Sequence, residues 1–132
     1  MNDLSNDIIY VYSRKQALED GVQVDANIGE LAEVTRQHFK YPVYMTGAVY
    51  DLIERAVNNP KWMNDWKGVW HDICWMCRQA SRRLRAGESV TRFKVIIRGA
   101  GKQSLYTMRA VCEAKDFDDP QPVITIMMAD ED

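Results

Sequence analysis

The chain of 132 residues is poor in cysteine and has no long apolar run. Three cysteines, an odd and small number, make a poor disulfide framework, so we expect reduced thiols that behave as small buried hydrophobic residues. The apolar runs, such as residues 8–12, fall far short of the roughly 20 residues of a membrane-spanning helix. The first residues lack the basic start and apolar stretch of a secretion signal. We therefore expect a cytoplasmic protein with no membrane partner.

The length and composition are those of one globular domain. Apolar residues make up 46% of the sequence and charged residues 27%, which are ordinary values for folded proteins. No internal repeat or linker divides the sequence. The prediction is a single domain over residues 1–132, with residues 1–6 and 129–132 frayed.

Charge is separated along the sequence. Residues 61–109 hold eleven Lys or Arg against three acids, a net charge of +8, whereas residues 1–60 carry −4 and residues 110–132 carry −6. A folded domain with this pattern presents a basic surface beside acidic ones. Such surfaces usually steer charged partners rather than perform chemistry.

Apolar periodicity and capping residues predict helices in the first two thirds of the sequence. A capping box from Ser13 to Gln16 starts the first helix, and Thr46 is a good N-cap for the third. In the last of them, a stripe at spacings of three and four includes Trp70, Ile73 and Cys77 and should face the core. The predicted helices cover about residues 13–20, 28–38, 46–58 and 69–86.

Beyond Gly87 the apolar residues change to the two-residue period of strands. Strands are predicted at residues 90–98, 105–112 and 123–128, with a turn at 99–102 and an acidic, proline-containing loop at 116–122. The expected fold class is α+β, with a C-terminal antiparallel three-stranded meander packed against three or four helices. An N-terminal strand at residues 8–12 could extend this sheet.

Four stretches of the sequence carry a resemblance. They are residues 12–25, residues 41–49, Trp70 together with Trp75 and Met76, and residues 122–127. Together they resemble an uncharacterised family of small proteins that bacterial phages, plasmids and integrated elements carry. The resemblance implies no catalytic residue. It implies a setting in which small accessory proteins act on host proteins, including defence systems. This implication rests on genomic context alone and on no residue of the sequence.

The predicted long helix carries a basic stripe on the side away from its apolar face. With Trp75 beside it, this stripe could hold phosphates while the indole stacks on a base. The stripe could equally be a solvated helix face, because arginines near the C-terminal end of a helix interact favourably with the helix dipole. The sequence pI of about 5.7 also argues against a nucleic-acid-binding domain. The stripe consists of Lys67, His71, Arg78, Arg82 and Arg85.

The same helix contains His71, Cys74 and Cys77, which suggest a metal or redox site. Ligands at this spacing spiral around a helix, a structural zinc site needs four of them, and a redox Cys pair belongs at a helix N-terminus. We therefore predict structural cysteines, no metal and no cofactor. His38 has no nucleophile or carboxylate at a triad-like spacing, and residues 99–102 lack the pattern of a phosphate loop. The sequence thus predicts a protein that is not an enzyme.

An acidic segment near the C-terminal end is a second candidate surface. It could meet the basic groove of a nucleoprotein by mimicking phosphates, or it could be a soluble loop beside a frayed end. The function that we expect is a non-catalytic interaction protein that binds, and could inhibit, a host protein or nucleoprotein complex; direct nucleic-acid binding by the basic stripe is the alternative. The oligomeric state is left open. The acidic residues are Asp116, Asp118 and Asp119.

Overall fold

The structure is a computed structural model that describes residues 13–131. The described residues form, in chain order, α1 (Arg14–Glu19), β1 (Gln23–Asp25), α2 (Ala32–His38, after a 3₁₀ turn at Gly29–Leu31), β2 (Val43–Thr46), α3 (Gly47–Val57), α4 (Trp66–Ser81), β3 (Val90–Ile96), β4 (Leu105–Asp116) and β5 (Asp119–Met128). None of these described helices combines the length and the hydrophobicity of a transmembrane span.

Side-chain caps fix where the helices begin. Ser13 accepts a hydrogen bond from the Gln16 amide, and the Gln16 side chain accepts one from the Ser13 amide, so the predicted capping box starts α1. Thr46 caps α3 as predicted. Asp65 caps α4 by accepting from the Gly68 amide, which places the start of this helix three residues before the predicted one.

The described strands form one mixed sheet in the order β1-β2-β5-β4-β3. The predicted three-stranded meander was incomplete. Strands β3, β4 and β5 do pair antiparallel, but the sheet continues through β2, which is parallel to β5, and then through β1. We missed β2 because it fills the four residues between Pro42 and the helix that Thr46 caps. The predicted strand at residues 8–12 lies outside the described residues.

The predicted loop at residues 116–122 was wrong. A tight connection at Phe117 and Asp118 joins β4 to β5, and most of the expected loop belongs to β5. Pro122 has no amide hydrogen, but none is needed at this position. Alternate residues of a strand direct their amides to the same side, and the Ile124 amide points away from β4 and donates to the Pro42 carbonyl. The amide position of residue 122 points to that same side, where β2 has not yet begun.

The core lies between one face of the sheet and α2, α3 and α4. The fully buried Trp70 of α4 donates from its indole nitrogen to the Thr35 hydroxyl at 3.0 Å, and that hydroxyl donates to the Ala26 carbonyl at 2.6 Å. These bonds satisfy the polar atoms that Trp70 and Thr35 carry into the core. The predicted inward stripe is confirmed at Trp70, Ile73 and Cys77, all of which are buried.

Helix α1 lies against the opposite face of the sheet. The buried Arg14 reaches Tyr44 of β2 and Thr125 of β5, which alternate with residues that face the main core. Its guanidinium also donates to the Lys115 carbonyl and the Gln23 side chain. Arg14 therefore joins α1 to four strands, β1, β2, β4 and β5.

Candidate interaction surface

Helix α4 is shorter at its C-terminal end than predicted, so the basic stripe is not continuous. The helix ends at Ser81, Arg82 is its C-cap, and Arg85 lies in the connection that follows. There the Arg85 amide donates to the Glu88 carboxylate, and Gly87 takes a positive φ of 89°. The structure thus keeps Lys67, His71 and Arg78 on one helix and places Arg85 beyond it.

The outer face of α4 combines apolar and basic side chains. Trp75 is 45% exposed and Met76 is 39% exposed, whereas Cys74 between this surface and the core is fully buried. Between described residues, the one ion pair joins Arg14 to Glu113. The basic groups of Lys67, Arg78, Arg82 and Arg85 thus have no described carboxylate within ion-pair distance. We use the name α4 surface for the outer face of this helix, which carries Trp75, Met76, Lys67, Arg78 and the C-cap residue Arg82.

His38 and His71 meet at the edge of the α4 surface, although 33 residues separate them in the sequence. The His38 Nε2 and His71 Nδ1 atoms are 2.9 Å apart, and both rings lie near the Trp75 indole. Burial is the main cause that lowers the pKa of His38, and the charges of His71 and Arg78 add to it. A neutral His38 suits this contact, since one of the two facing nitrogens must be an acceptor.

A groove of about 340 Å³ lies beside the α4 surface, next to the outer edge of β3. Trp75 and Met76 form its helix side, Ile96 and Leu105 form its sheet side, and Asp72 and Lys94 also line it. All four of the apolar side chains are exposed. Sequence reasoning missed this groove because its two sides lie far apart along the chain.

Two exposed bases on β3, Arg92 and Lys94, extend the basic surface onto the sheet. They lie on the face of β3 that is turned away from the core, because the buried Phe93 and Val95 alternate with them. The alternation was visible in the sequence, but we used it only to find the core side of the strand.

A second cleft, of about 290 Å³, lies between the end of α4 and the sheet. Its lining is mostly apolar and includes His38, Cys77 and Cys112, with no carboxylate among the described residues that line it. Burial raises the pKa of the Cys77 thiol to about 12 and that of Cys74 further, so neither is a nucleophilic thiolate. Among the described residues, no group of three His, Cys, Asp or Glu could hold a metal ion.

The three acidic residues of the predicted surface lie at the tip of the β4–β5 hairpin. The Asp116 carboxylate accepts from the amides of Phe117 and Lys15, and these bonds, the Phe117 one first, lower its pKa. Asp119 accepts from the Gln121 amide, and Asp118 is exposed. The groove at Leu105 is at the other end of β4, roughly 35 Å away along the strand. The structure therefore does not bring the acidic tip to the groove.

Comparison with known proteins identifies one family. A family model described as a family of unknown function, DUF6573, matches residues 1–132. No curated protein and no solved structure matches the chain.

Proposed function

Because the chain belongs to DUF6573, a family of unknown function, we propose from its own structure that it is a non-catalytic interaction protein. It binds another protein through the α4 surface. This function needs no cofactor and no catalytic group.

The observation that carries the proposal is the exposure of Trp75 and Met76 beside bases that no described carboxylate neutralises. Tryptophan, methionine and arginine are enriched at the centres of protein interfaces, where large side chains are desolvated by the partner. Unpaired bases around such a centre attract an acidic partner and speed its association. The α4 surface has both components on one rigid helix.

We further propose that the partner is a host protein complex in the bacterial cytoplasm and that the protein comes from a phage or another mobile element. The resemblance of the four sequence stretches supports this setting. Inhibition of a defence system is one form that such binding could take.

Charge reversal on α4 tests the proposal. A variant with Arg78→Glu and Arg82→Glu should lose most of the partner that the tagged protein captures from its own host, while its melting temperature changes little, because neither side chain is buried. Lys61→Glu with Lys102→Glu makes the same charge change in exposed loops and should keep the partner. Equal capture by both variants contradicts the proposal, and unfolding of the first shows that these arginines are structural.

Nucleic-acid binding is the second candidate function, and the same unpaired bases beside Trp75 favour it. It requires affinity for single-stranded or duplex DNA or RNA that falls steeply as salt is added. Fluorescence anisotropy at low ionic strength measures this affinity directly. Nuclease treatment during the capture experiment separates the two functions, because a partner held through nucleic acid is released.

A further inference from the structure

We propose, on the basis of the proposed function, that the partner contributes an extended segment in which acidic and apolar residues alternate. This segment adds, as a sixth strand, to the edge of β3 that no other described strand covers. The mode of binding is strand addition, in which main-chain hydrogen bonds give affinity and alternate side chains give specificity.

The backbone of β3 offers a row of unpaired hydrogen-bonding groups. The Cys112 amide donates to the Ser89 carbonyl and the Ile97 amide donates to the Ser104 carbonyl, so the odd-numbered residues of β3 face β4. The even-numbered residues therefore point their amides and carbonyls outward. Within residues 13–131, no strand pairs with this edge, and no side chain bonds to these groups. The outward residues are Val90, Arg92, Lys94 and Ile96.

The groove gives the added strand a place for apolar side chains. An incoming strand beside β3 has one face toward α4, where Trp75 and Met76 are exposed. Asp72, which belongs to α4 and lines the groove, disfavours acidic side chains on this face. Apolar side chains on this face of the segment would cover the two exposed residues.

The other face of the added strand meets positive charge. Arg92 and Lys94 stand two residues apart on the open face of β3, and residues at this spacing share one face of a strand. A segment with acidic residues at every second position therefore places a carboxylate beside each base. Cross-strand pairs of opposite charge stabilise a sheet, and pairs of like charge destabilise it.

The same charges disfavour a second copy of this chain as the occupant. If β3 paired antiparallel with β3 of another copy, the central registers would place Arg92 opposite Lys94 of that copy, or one of the two bases opposite its own counterpart. Each arrangement sets like charges directly across the new interface. Bases on an edge strand commonly prevent such self-pairing, and here they also select an acidic segment.

A short fluorescein-labelled peptide of alternating Glu and Val is the probe, with fluorescence anisotropy as the measurement. It should bind the full chain, and the variant Arg92→Glu with Lys94→Glu should bind it about tenfold more weakly or worse. The same variant should gain affinity for a peptide in which Lys replaces Glu. A peptide of equal composition with the glutamates grouped at one end should bind weakly, because grouping destroys the alternation. Equal binding of the grouped peptide, or no binding of the alternating one, would overturn the proposal.

Backbone variants separate strand addition from simple charge attraction. Lys94→Pro removes one outward amide that makes no bond within the described residues. The fold should therefore tolerate the substitution, whereas strand addition should fail. Lys94→Ala is the matched control, because it removes the same charge and keeps the amide. The peptide can be altered instead. In an antiparallel pair the Glu amides face β3, so N-methylation of the Glu residues should abolish binding and N-methylation of the Val residues should not. Equal affinity of the two methylated peptides would overturn the proposal.

The outcomes also separate this inference from the proposed function. If the peptides fail but Arg78→Glu with Arg82→Glu still abolishes capture of the partner, the protein binds through the α4 surface and not through β3. If the alternating peptide binds but no protein partner depends on α4, strand addition stands and the proposed function through α4 fails. Concentration-dependent self-association that Lys94→Pro removes would show that a second copy occupies the edge, and it would overturn the acidic segment as occupant.

Discussion

Replacement of Arg14 by alanine should destabilise the protein strongly although the residue is charged. Arg14 is 7% exposed, and its guanidinium donates to the Lys115 carbonyl at 2.8 Å, the Thr125 hydroxyl at 2.9 Å and the Gln23 side chain at 3.0 Å. It also lies 4.6 Å from the centre of the Tyr44 ring. One side chain thus fastens α1 to strands β1, β2, β4 and β5.

The size of the effect follows from these contacts. Leaving the buried Thr125 hydroxyl without its donor costs about 1–3 kcal/mol. Water can replace the other bonds in part, and loss of the guanidinium that lies over the Tyr44 ring adds a further contribution of about 1 kcal/mol. We expect a free energy of unfolding lower by about 3 kcal/mol, which for a domain of this size is a drop in melting temperature of about 10 °C.

Thermal unfolding followed by circular dichroism measures this change. Glu113→Gln is the control, because it removes the ion pair, whose Arg14 Nη2 to Glu113 Oε1 distance is 3.5 Å, while leaving the three hydrogen bonds intact. Glu113 is 45% exposed, so its loss should cost less than about 1 kcal/mol. A melting temperature of Arg14→Ala within about 2 °C of the unchanged protein would refute the reasoning. Equal losses in both variants would show that the ion pair, not the hydrogen-bond network, holds α1.

Two further predictions concern the hairpin tip and a glycine. Since the folded pKa of Asp116 lies below the ordinary value of 3.8, its contribution to stability is present above about pH 4 and is lost as the pH falls through the folded pKa. The difference in melting temperature between the unchanged protein and Asp116→Asn should therefore shrink on acidification, and at neutral pH it should exceed that of Asp118→Asn. Gly99 has a φ of 93°, and an added Cβ would lie 2.7 Å from Cδ1 of Trp62, so Gly99→Ala should cost about 1–3 kcal/mol in urea unfolding. Gly101→Ala, whose Cβ meets nothing within 4 Å, should change stability little, and equal effects of the two substitutions would contradict the steric reason.

Sequence reasoning succeeded where structure is set by near neighbours. The caps at Ser13 and Thr46 and the inward positions Trp70 and Ile73 depend on residues within one or two helical turns. These features were predicted correctly. The α+β class and the pairing of the last three strands follow from similar local periodicity.

It failed where the structure depends on residues far apart in the chain. Strand β2 is short and is stabilised by pairing with β5, about eighty residues later in the chain, so no local sequence pattern predicts it. The burial of Arg14 depends on hydrogen-bond acceptors in three strands. From sequence alone, a basic residue in the first turn of a helix is expected to be exposed to solvent. The contact of His38 with His71 and the groove beside β3 likewise needed the packing of α2, α4 and the sheet.

The position of β5 between β2 and β4 has a consequence for biosynthesis. The strand nearest the C-terminal end of the chain occupies the middle of the sheet, and β2 has no neighbour on that side until β5 arrives. A nascent chain that has emerged from the ribosome only as far as β4 therefore has two separate halves, β1 with β2 and β3 with β4, and neither can close the core. Long-range closure of this kind is slow, because the chain must lose the entropy of a large loop before the contacts form. The native domain is completed only after residues 119–128 have been synthesised.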